Sequence, residues 1–204
     1  MIASRISISV VYYGINHQDF KLHDFDRAKW RQQELNCEPE DFIFGTISRL
    51  VPQKDLQTLI NAFSKISEEV RCKLVIVGDG VQRNELEKLV KSLNLESKVH
   101  FLGKRRDIPE LLHAIDAFTL SSKYEGLGLV LLEALASEVP IIAARNSAIK
   151  EIVNDEVALM FETSSVPDLE KAMRDLINDP NETSHRLQRG KVRVQQNFGV
   201  DSML

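Results

Sequence analysis

Short apolar runs alternate with helix-length segments from Phe42 almost to the end of this 204-residue chain. The runs are rich in β-branched and aromatic residues, as buried strands are, whereas the segments between them repeat apolar residues every three or four positions, as helices do. This alternation is typical of parallel βαβ units, whose crossovers are right-handed. The pattern therefore predicts an α/β fold: a doubly wound parallel sheet with helices on both faces.

The predicted strands are Phe42–Ile47, Lys73–Val77, Val99–Leu102, Ala117–Leu120, Pro140–Ala143 and Ala158–Phe161, preceded by a further strand over Ile6–Tyr13. The predicted helices are a surface helix over Phe25–Asn36, then Leu56–Ile66, Arg83–Leu93, Ile108–Ala114, a helix from about Leu129, Ala148–Val153, Val166–Asn178 and Glu182–Gln196.

The stretch from Ser121 to Pro140 reads SSKYEGLGLVLLEALASEVP and predicts a turn followed by a helix. Gly126 and Gly128 precede apolar residues at helical spacing, so the helix is expected to begin near Gly128 with its free N–H groups facing the turn. Glycines let a ligand approach the backbone closely, and the peptide dipoles at a helix N-terminus favour a phosphate group. This stretch is therefore a candidate phosphate site.

Two carboxylates frame the candidate phosphate site, Glu125 in the turn and Glu133 in the helix, with seven residues between them. At about 100° per residue they would not share a helical face even if both were helical. They are better interpreted as hydrogen-bond acceptors for two parts of one ligand than as an acid/base pair. Sugar and ribose hydroxyls are the natural donors.

Basic residues follow the predicted strands at the edge where ligands bind to doubly wound sheets. Arg49 and Lys54 are separated by a turn that contains Pro52. Two such cations can converge on a diphosphate, although the loop alone fits a solvated surface equally well. Lys104–Arg106 would ordinarily be a solvated basic face, but its place at this edge allows contact with a base or phosphate. Gly78–Gly80 fits a tight turn.

Composition narrows the function classes further. The net charge of −4 gives no global reason to expect binding to nucleic acid. Cys37 and Cys72 are too isolated for a disulfide framework or a zinc site, which favours a reducing cytoplasm. No apolar run approaches the ~18 residues of a membrane span, and the N-terminus lacks the apolar core of a signal peptide.

Several catalytic and binding signatures are missing. The five histidines show no metal-ligand spacing, and there is no GxSxG elbow of the kind that carries a nucleophilic serine. After the first regular strand the chain reads GTISRL rather than GxGxxG, which counts against an ordinary NAD-binding domain.

Five segments occur in order between Phe42 and Pro180: FIFGTISRLVPQKDLQTLINAF, KLVIVGDG, VHFLGKRRDIPELLHAIDAFTLSSKYEGLGLVLLEALA, PIIA and EIV. Together they resemble the C-terminal half of retaining glycosyltransferases of family 4 (group 1). The resemblance implies the GT-B architecture, in which two Rossmann-like domains face each other across a cleft. This chain would be the domain that binds the nucleotide-sugar donor.

The resemblance also implies roles for single residues. Arg49 and Lys54 would hold the donor diphosphate, Glu125 would lie near the donor sugar or its phosphate, and these three form the catalytic set. Glu133 would accept hydrogen bonds from ribose hydroxyls. The remaining donor-binding positions are the backbone amides of Gly128, Leu129 and Val130, for phosphate or sugar oxygens, and Gly103, Lys104, Arg105 and Arg106, at the nucleobase. No metal and no cofactor is implied, because a UDP- or GDP-sugar is the substrate and the cations stabilise the leaving diphosphate.

The chain departs from the family pattern in three places. Glu138 stands where a small residue is usual, and Asn146–Ala148 replaces a Gly-Gly loop near the donor sugar. The third departure is architectural: VVYYGINHQDF resembles the interdomain linker, which in the family follows a complete acceptor-binding domain, and that half is expected to be absent here. The expected division is thus 1–40, linker or edge segment; 41–180, nucleotide-sugar-binding domain; and 181–204, a C-terminal helix truncated relative to the family.

Without the acceptor-binding half, the chain is expected to bind a nucleotide sugar but to transfer the sugar weakly or not at all. Membrane contact, at the inner face, is expected only through the absent half. Two alternatives stay open: a nucleotide-sugar epimerase of the same architecture, and a non-catalytic nucleotide-binding module. The presence of Arg49, Lys54, Glu125 and Glu133 argues against the second. The donor sugar, base, acceptor and oligomeric state are left open.

Overall fold

A computed structural model describes residues 14–198 of the chain. The predicted strand over Ile6–Tyr13 lies outside the described residues. The strands are β1 (Phe42–Ile47), β2 (Cys72–Val77), β3 (Val99–Gly103), β4 (Ala117–Leu120), β5 (Ile141–Ala144) and β6 (Leu159–Phe161). The helices are α1 (Arg27–Leu35), α2 (Leu56–Ile66), α3 (Arg83–Ser92), α4 (Ile108–Ala114), α5 (Leu129–Ala136), α6 (Ser147–Ile152), α7 (Val166–Asn178) and α8 (Pro180–Asn197).

The six strands form one parallel sheet in the order β3-β2-β1-β4-β5-β6. The chain runs outward from β1 through β2 to β3, and then crosses to the other side of β1 to continue with β4. The predicted doubly wound parallel sheet is therefore confirmed. The order reverses between β1 and β4, and it is beyond the carboxyl ends of the strands at such a switch point that open α/β sheets bind their ligands.

Capping residues account for the helix boundaries that the apolar pattern left imprecise. Asp26 accepts a hydrogen bond from the backbone N–H of Lys29 and starts α1. Asp179 accepts one from Glu182, so α8 begins at Pro180, two residues before the predicted start. The short 3₁₀ helices His17–Phe20 and Pro52–Lys54 were not predicted, because single turns of this kind carry no apolar period.

Helix α1 was predicted as a surface helix, and this is only half right. Arg31 and Leu35 on α1 are buried. The Arg31 guanidinium donates to the carbonyl of Ala114 at 2.5 Å and to Asp116 Oδ2 at 2.7 Å. The polar composition of α1 hid this buried side, because the residue that anchors the helix is itself charged.

Gly78–Gly80 is the tight turn that the sequence suggested, and it packs under the loop after β1. Gly78 has φ +125°, and a Cβ there would lie 1.8 Å from the carbonyl oxygen of Ser48. The backbones are joined as well, since Ser48 N donates to Val77 O at 2.9 Å and Leu50 N to Asp79 O at 3.0 Å. These contacts hold the loop that carries Arg49 against the end of β2.

Helix α8 packs against α5, the helix of the candidate phosphate site. The two helices are close together at Gly190, where a Cβ would lie 2.8 Å from Leu135 Cδ2. Helix α8 thus supports α5 by direct packing.

None of the helices in the described part of the chain combines the length and the apolar character that a bilayer crossing demands.

Candidate functional site

The loops after β1 and β4 are joined by backbone and side-chain hydrogen bonds at the switch point. Lys123 N donates to Gln53 O at 2.9 Å, Gln53 Nε2 to Tyr124 O at 2.9 Å, and Ser121 Oγ to Lys54 O at 2.8 Å. The first of these loops contains the short 3₁₀ helix Pro52–Lys54, and the three hydrogen bonds hold Lys54 beside the loop that follows β4.

Lys54 and Glu125 form an enclosed ion pair between these loops. Their side chains are only 12% and 8% exposed, and the same carboxylate oxygen accepts a hydrogen bond from Ser122 Oγ at 2.5 Å. An ammonium group has three N–H donors, so Lys54 can keep Glu125 and still bind an anionic oxygen. Enclosure also strengthens its attraction for such an anion relative to bulk water.

Helix α5 begins directly after this loop with an uncapped N-terminus. Gly128 is the N-cap residue, has φ +66°, and offers no side chain to the first-turn amides. The first N–H groups of a helix have no intrahelical acceptor, so the amides of Leu129 and Val130 are available to a ligand. The predicted helix start near Gly128 is confirmed, and the positive end of its dipole faces the loop of Glu125.

Glu133 lies on α5 with its side chain partly buried. Within residues 14–198 no hydrogen bond or ion pair engages this carboxylate. Desolvation by burial raises the pKa of Glu133 above its ordinary value. A carboxyl group that is removed from water and left without a partner is costly, and it is ready to accept hydrogen bonds from hydroxyl groups.

A cavity of about 330 Å³ opens at the carboxyl ends of β1, β2 and β3. Its wall consists of Ile47, Ser48, Arg49, Val77, Gly78, Asp79, Lys104, Arg105 and Ile108. Aliphatic side chains with a few polar groups are the usual lining of a small-molecule site, and the volume is at the low end of such pockets. Cavities of similar size beside α7 and α8 have none of these loops in their walls.

The basic residues around this cavity differ in how far their charges are already satisfied. Arg105 makes a bidentate contact with Asp107 at 2.8 and 2.5 Å and reaches Glu34 at 3.0 Å, and these bonds raise its pKa. Arg49 and Lys104 are exposed and form no ion pair with any residue of the described part. Arg49 and Lys104 are therefore better placed than Arg105 to attract an anionic ligand.

Gly103 has a backbone role at the same edge. It has φ +67°, and its carbonyl accepts a 2.7 Å hydrogen bond from Gly78 N. The structure thus gathers Lys54, Glu125 and the start of α5 at the β1/β4 switch point, and it gathers Arg49, Gly103, Lys104 and Arg105 around the neighbouring cavity.

Three polar residues that hold the site together were not predicted as site residues. Ser122 donates to Glu125, Asn146 Nδ2 donates to Ser122 O at 3.0 Å, and buried Asp55 accepts from Ser164 Oγ at 2.5 Å. The sequence contains no motif that pairs them. The bonds of Asn146 and Asp55 join loops that are distant along the chain, and Ser122 and Glu125, although only three residues apart, form no recognised motif. In residues 14–198, no group of three or more His, Cys, Asp or Glu side chains is arranged to hold a metal ion.

The amino-acid sequence is similar to that of a known protein family. Residues 26–192 match the family of glycosyl transferases group 1. N-acetyl-alpha-D-glucosaminyl L-malate synthase of Bacillus anthracis is 32% identical over 198 residues, which cover 97% of this chain and 51% of the relative.

Two solved structures are similar in fold and sequence. Anabaena HepE in complex with UDP and glucose superposes with a TM-score of 0.89 at 29% identity, over 96% of this chain and 54% of that one. The C-terminal domain of the group 1 family protein LpcC from Francisella tularensis gives 0.78 at 26% identity, over 92% of this chain and all of that domain.

The chain thus spans about half the length of the synthase and of HepE. The structural similarity confirms the predicted fold class, a Rossmann-like sheet of the kind found in GT-B glycosyltransferases. Together with the family match over most of its length, it establishes that the chain belongs to the group 1 glycosyltransferases.

Proposed function

We propose that this chain is the donor-binding domain of a retaining, metal-independent glycosyltransferase that uses a UDP- or GDP-sugar. The observation that carries the proposal is the enclosed Lys54–Glu125 ion pair beside the uncapped N-terminus of α5, at the switch point of the sheet. The similarity to a HepE structure that contains UDP and glucose supports the choice of ligand class.

Glycosyl transfer breaks the bond between the anomeric carbon of the sugar and an oxygen of the nucleoside diphosphate, so negative charge develops on the departing diphosphate. Positive groups fixed in advance around that oxygen lower the barrier. Lys54 and the amides of Leu129 and Val130 supply them at the switch point, and Arg49 would reach the diphosphate from the wall of the neighbouring cavity. With these groups the proposed reaction needs no metal ion. Glu125 holds the Lys54 ammonium group in place near the donor sugar.

The proposed position of the diphosphate also determines where the ribose and the base of the nucleotide would bind. Glu133 accepts hydrogen bonds from the ribose hydroxyls, which compensates for the burial of its carboxylate. The base enters the 330 Å³ cavity and lies against Gly103, Lys104 and Arg105. Lys104 then contributes an unpaired charge, while Arg105 contributes mainly the position of its guanidinium plane.

The acceptor would bind to a second domain. Similarity to the C-terminal domain of LpcC over the whole of that domain supports this division, with residues 41–180 as the donor domain, 1–40 as the linker and 181–204 as the final helix. Cys37 and Cys72 are buried and unpaired, which supports a reducing compartment such as the cytoplasm. Contact with the inner face of a membrane would be made by the acceptor-binding half.

Calorimetric titration with UDP and GDP tests the proposal. We expect wild-type protein to bind one of them, and Arg49→Ala and Lys54→Ala to bind it about tenfold more weakly or worse, because each removes a charge-assisted contact to phosphate. Arg49 is exposed, so its variant should melt at the wild-type temperature. Lys54→Ala will also lose stability, since it leaves buried Glu125 unpaired.

Lys171→Ala is the matched control, because it removes one positive charge from an exposed ion pair on α7. Its affinity should equal that of the wild type. The proposal is wrong if wild-type protein binds neither nucleotide, or if Arg49→Ala and Lys54→Ala both bind as tightly as the control.

A further inference from the structure

Asn146 lies between β5 and α6, and both polar atoms of its amide are engaged. Its Oδ1 accepts from Ile149 N at 3.2 Å, which caps α6, and its Nδ2 donates to Ser122 O at 3.0 Å. One side chain thus joins the start of α6 to the loop that follows β4. Capping of α6 uses only the Oδ1 atom, so the hydrogen bond from Nδ2 to Ser122 O has a separate role.

Ser122 links this bond to the ion pair. Its side chain is buried, and its hydroxyl donates to the Glu125 oxygen that pairs with Lys54. A continuous path of polar contacts therefore runs from Asn146 through Ser122 and Glu125 to Lys54.

The tip of the loop that carries Glu125 has little packing of its own. Tyr124 is 63% exposed, and a Cβ built on Gly126 would meet nothing within 4 Å. Its position therefore depends on a few polar bonds, among them the bond from Asn146. Losing one such bond should let the loop move, and Glu125 and Lys54 with it.

We propose that Asn146 is a positioning residue for the diphosphate site, acting through its hydrogen bond to the Ser122 carbonyl. This rests on the proposed function. Asn146 contacts neither Lys54 nor Glu125 directly, so its removal should weaken the grip on the diphosphate and leave the nucleoside contacts around the neighbouring cavity unchanged.

The test is Asn146→Ser, titrated with UDP and UMP, or with GDP and GMP if the wild type prefers guanine. Serine is as good an N-cap as asparagine but carries no amide, so α6 keeps its cap and the charge does not change. We expect the diphosphate to bind about fivefold more weakly, as for the loss of one neutral hydrogen bond, and the monophosphate to bind as in the wild type.

Asp179→Ala separates positioning from general stability, because it removes the cap of α8 at a distance from the site. It should lower the melting temperature and leave UDP affinity unchanged. Asn146→Ser should instead leave the melting temperature unchanged and lower UDP affinity. Wild-type affinity of Asn146→Ser for UDP, or an equal loss for UMP, overturns the inference while the proposed function stands. A wild-type protein that binds neither nucleotide overturns both.

Discussion

At the scale of single residues, Glu133 is the side chain whose position is hardest to explain by stability alone. Burial raises its pKa, and no residue between 14 and 198 gives its carboxylate a hydrogen bond or a counter-charge. Because the folded-state pKa is raised, the neutral form is favoured in the fold, and stability is lost as the pH rises through that pKa. Above that pKa the protein bears the cost of a buried charge, which a bound ribose would offset.

Glu133→Gln should consequently stabilise the free protein and weaken nucleotide binding. The amide keeps the shape but loses the charge that burial disfavours, so we expect the melting temperature at pH 7 to rise by about 2 °C. Affinity for UDP should fall about fivefold or more, since hydrogen bonds from ribose hydroxyls to a carboxylate are stronger than those to a neutral amide. Thermal melts at pH 4 and pH 7 should show the stabilisation shrinking at the lower pH.

Glu156→Gln, at an exposed position, is the control, and it should change neither the melting temperature nor the affinity. A fall in the melting temperature of Glu133→Gln would mean that the carboxylate has an unrecognised stabilising partner.

Some contacts of single residues could be predicted from the sequence and others could not. The sequence places Lys54 and Glu125 in loops after two predicted strands, and in the structure they meet as an ion pair. Asn146 drew attention only as a departure from a glycine loop, since no local pattern reveals that its amide reaches Ser122. The pairing of Arg105 with Glu34 of α1 was equally hidden, because the two are distant along the chain and meet only through the fold.

At the scale of elements, α1 is anchored to the sheet by charge. Asp116, just before β4, accepts from Arg31 and from Ile43 N, both at 2.7 Å, and Arg27 binds its other oxygen at 2.7 Å. One carboxylate thus ties α1 to the beginnings of β1 and β4. This anchor places Glu34 against Arg105, and so connects α1 to the wall of the cavity.

Arg31→Leu should destabilise the protein strongly. It leaves Asp116 without its buried cation, and its remaining partners are the Ile43 N–H group and the half-exposed Arg27, so a loss of about 2–3 kcal/mol in the free energy of unfolding is expected. Urea denaturation followed by circular dichroism measures it. Lys171→Leu, which breaks an exposed pair, should stay within about 0.5 kcal/mol of the wild type. Equal effects of the two variants would show that the buried pair is no anchor.

At the scale of the whole molecule, the doubly wound parallel sheet could be predicted from the sequence, but the contacts between its loops could not. Alternating strands and helices predicted the doubly wound sheet, because parallel strands require crossovers and the crossovers have one hand. Which loops touch depends on side chains such as Gln53, whose amide bonds Tyr124 across the switch point. The predicted site residues therefore lie together at the carboxyl edge of the sheet, whereas the partner of each side chain is known only from the structure.

The architecture of the whole molecule also determines whether the isolated chain can catalyse sugar transfer. The chain spans about half the length of the synthase and of HepE, and in the proposed architecture it would provide one wall of a cleft. A diphosphate held by Lys54 and the start of α5 would be open to water on the opposite side, which screens the positive groups and leaves the sugar without an acceptor. The isolated chain should therefore bind a donor without turning it over.

Release of UDP from UDP-glucose and UDP-N-acetylglucosamine, followed by chromatography, checks this expectation, with GDP-mannose in place of both if GDP binds. The rate with wild-type protein should not exceed that with Lys54→Ala, although calorimetry shows the donor bound. Turnover near 1 s⁻¹, an ordinary enzymatic rate, would contradict it. Such a result would mean that this sheet edge, with Arg49, Lys54 and Glu125, completes the reaction without a second domain.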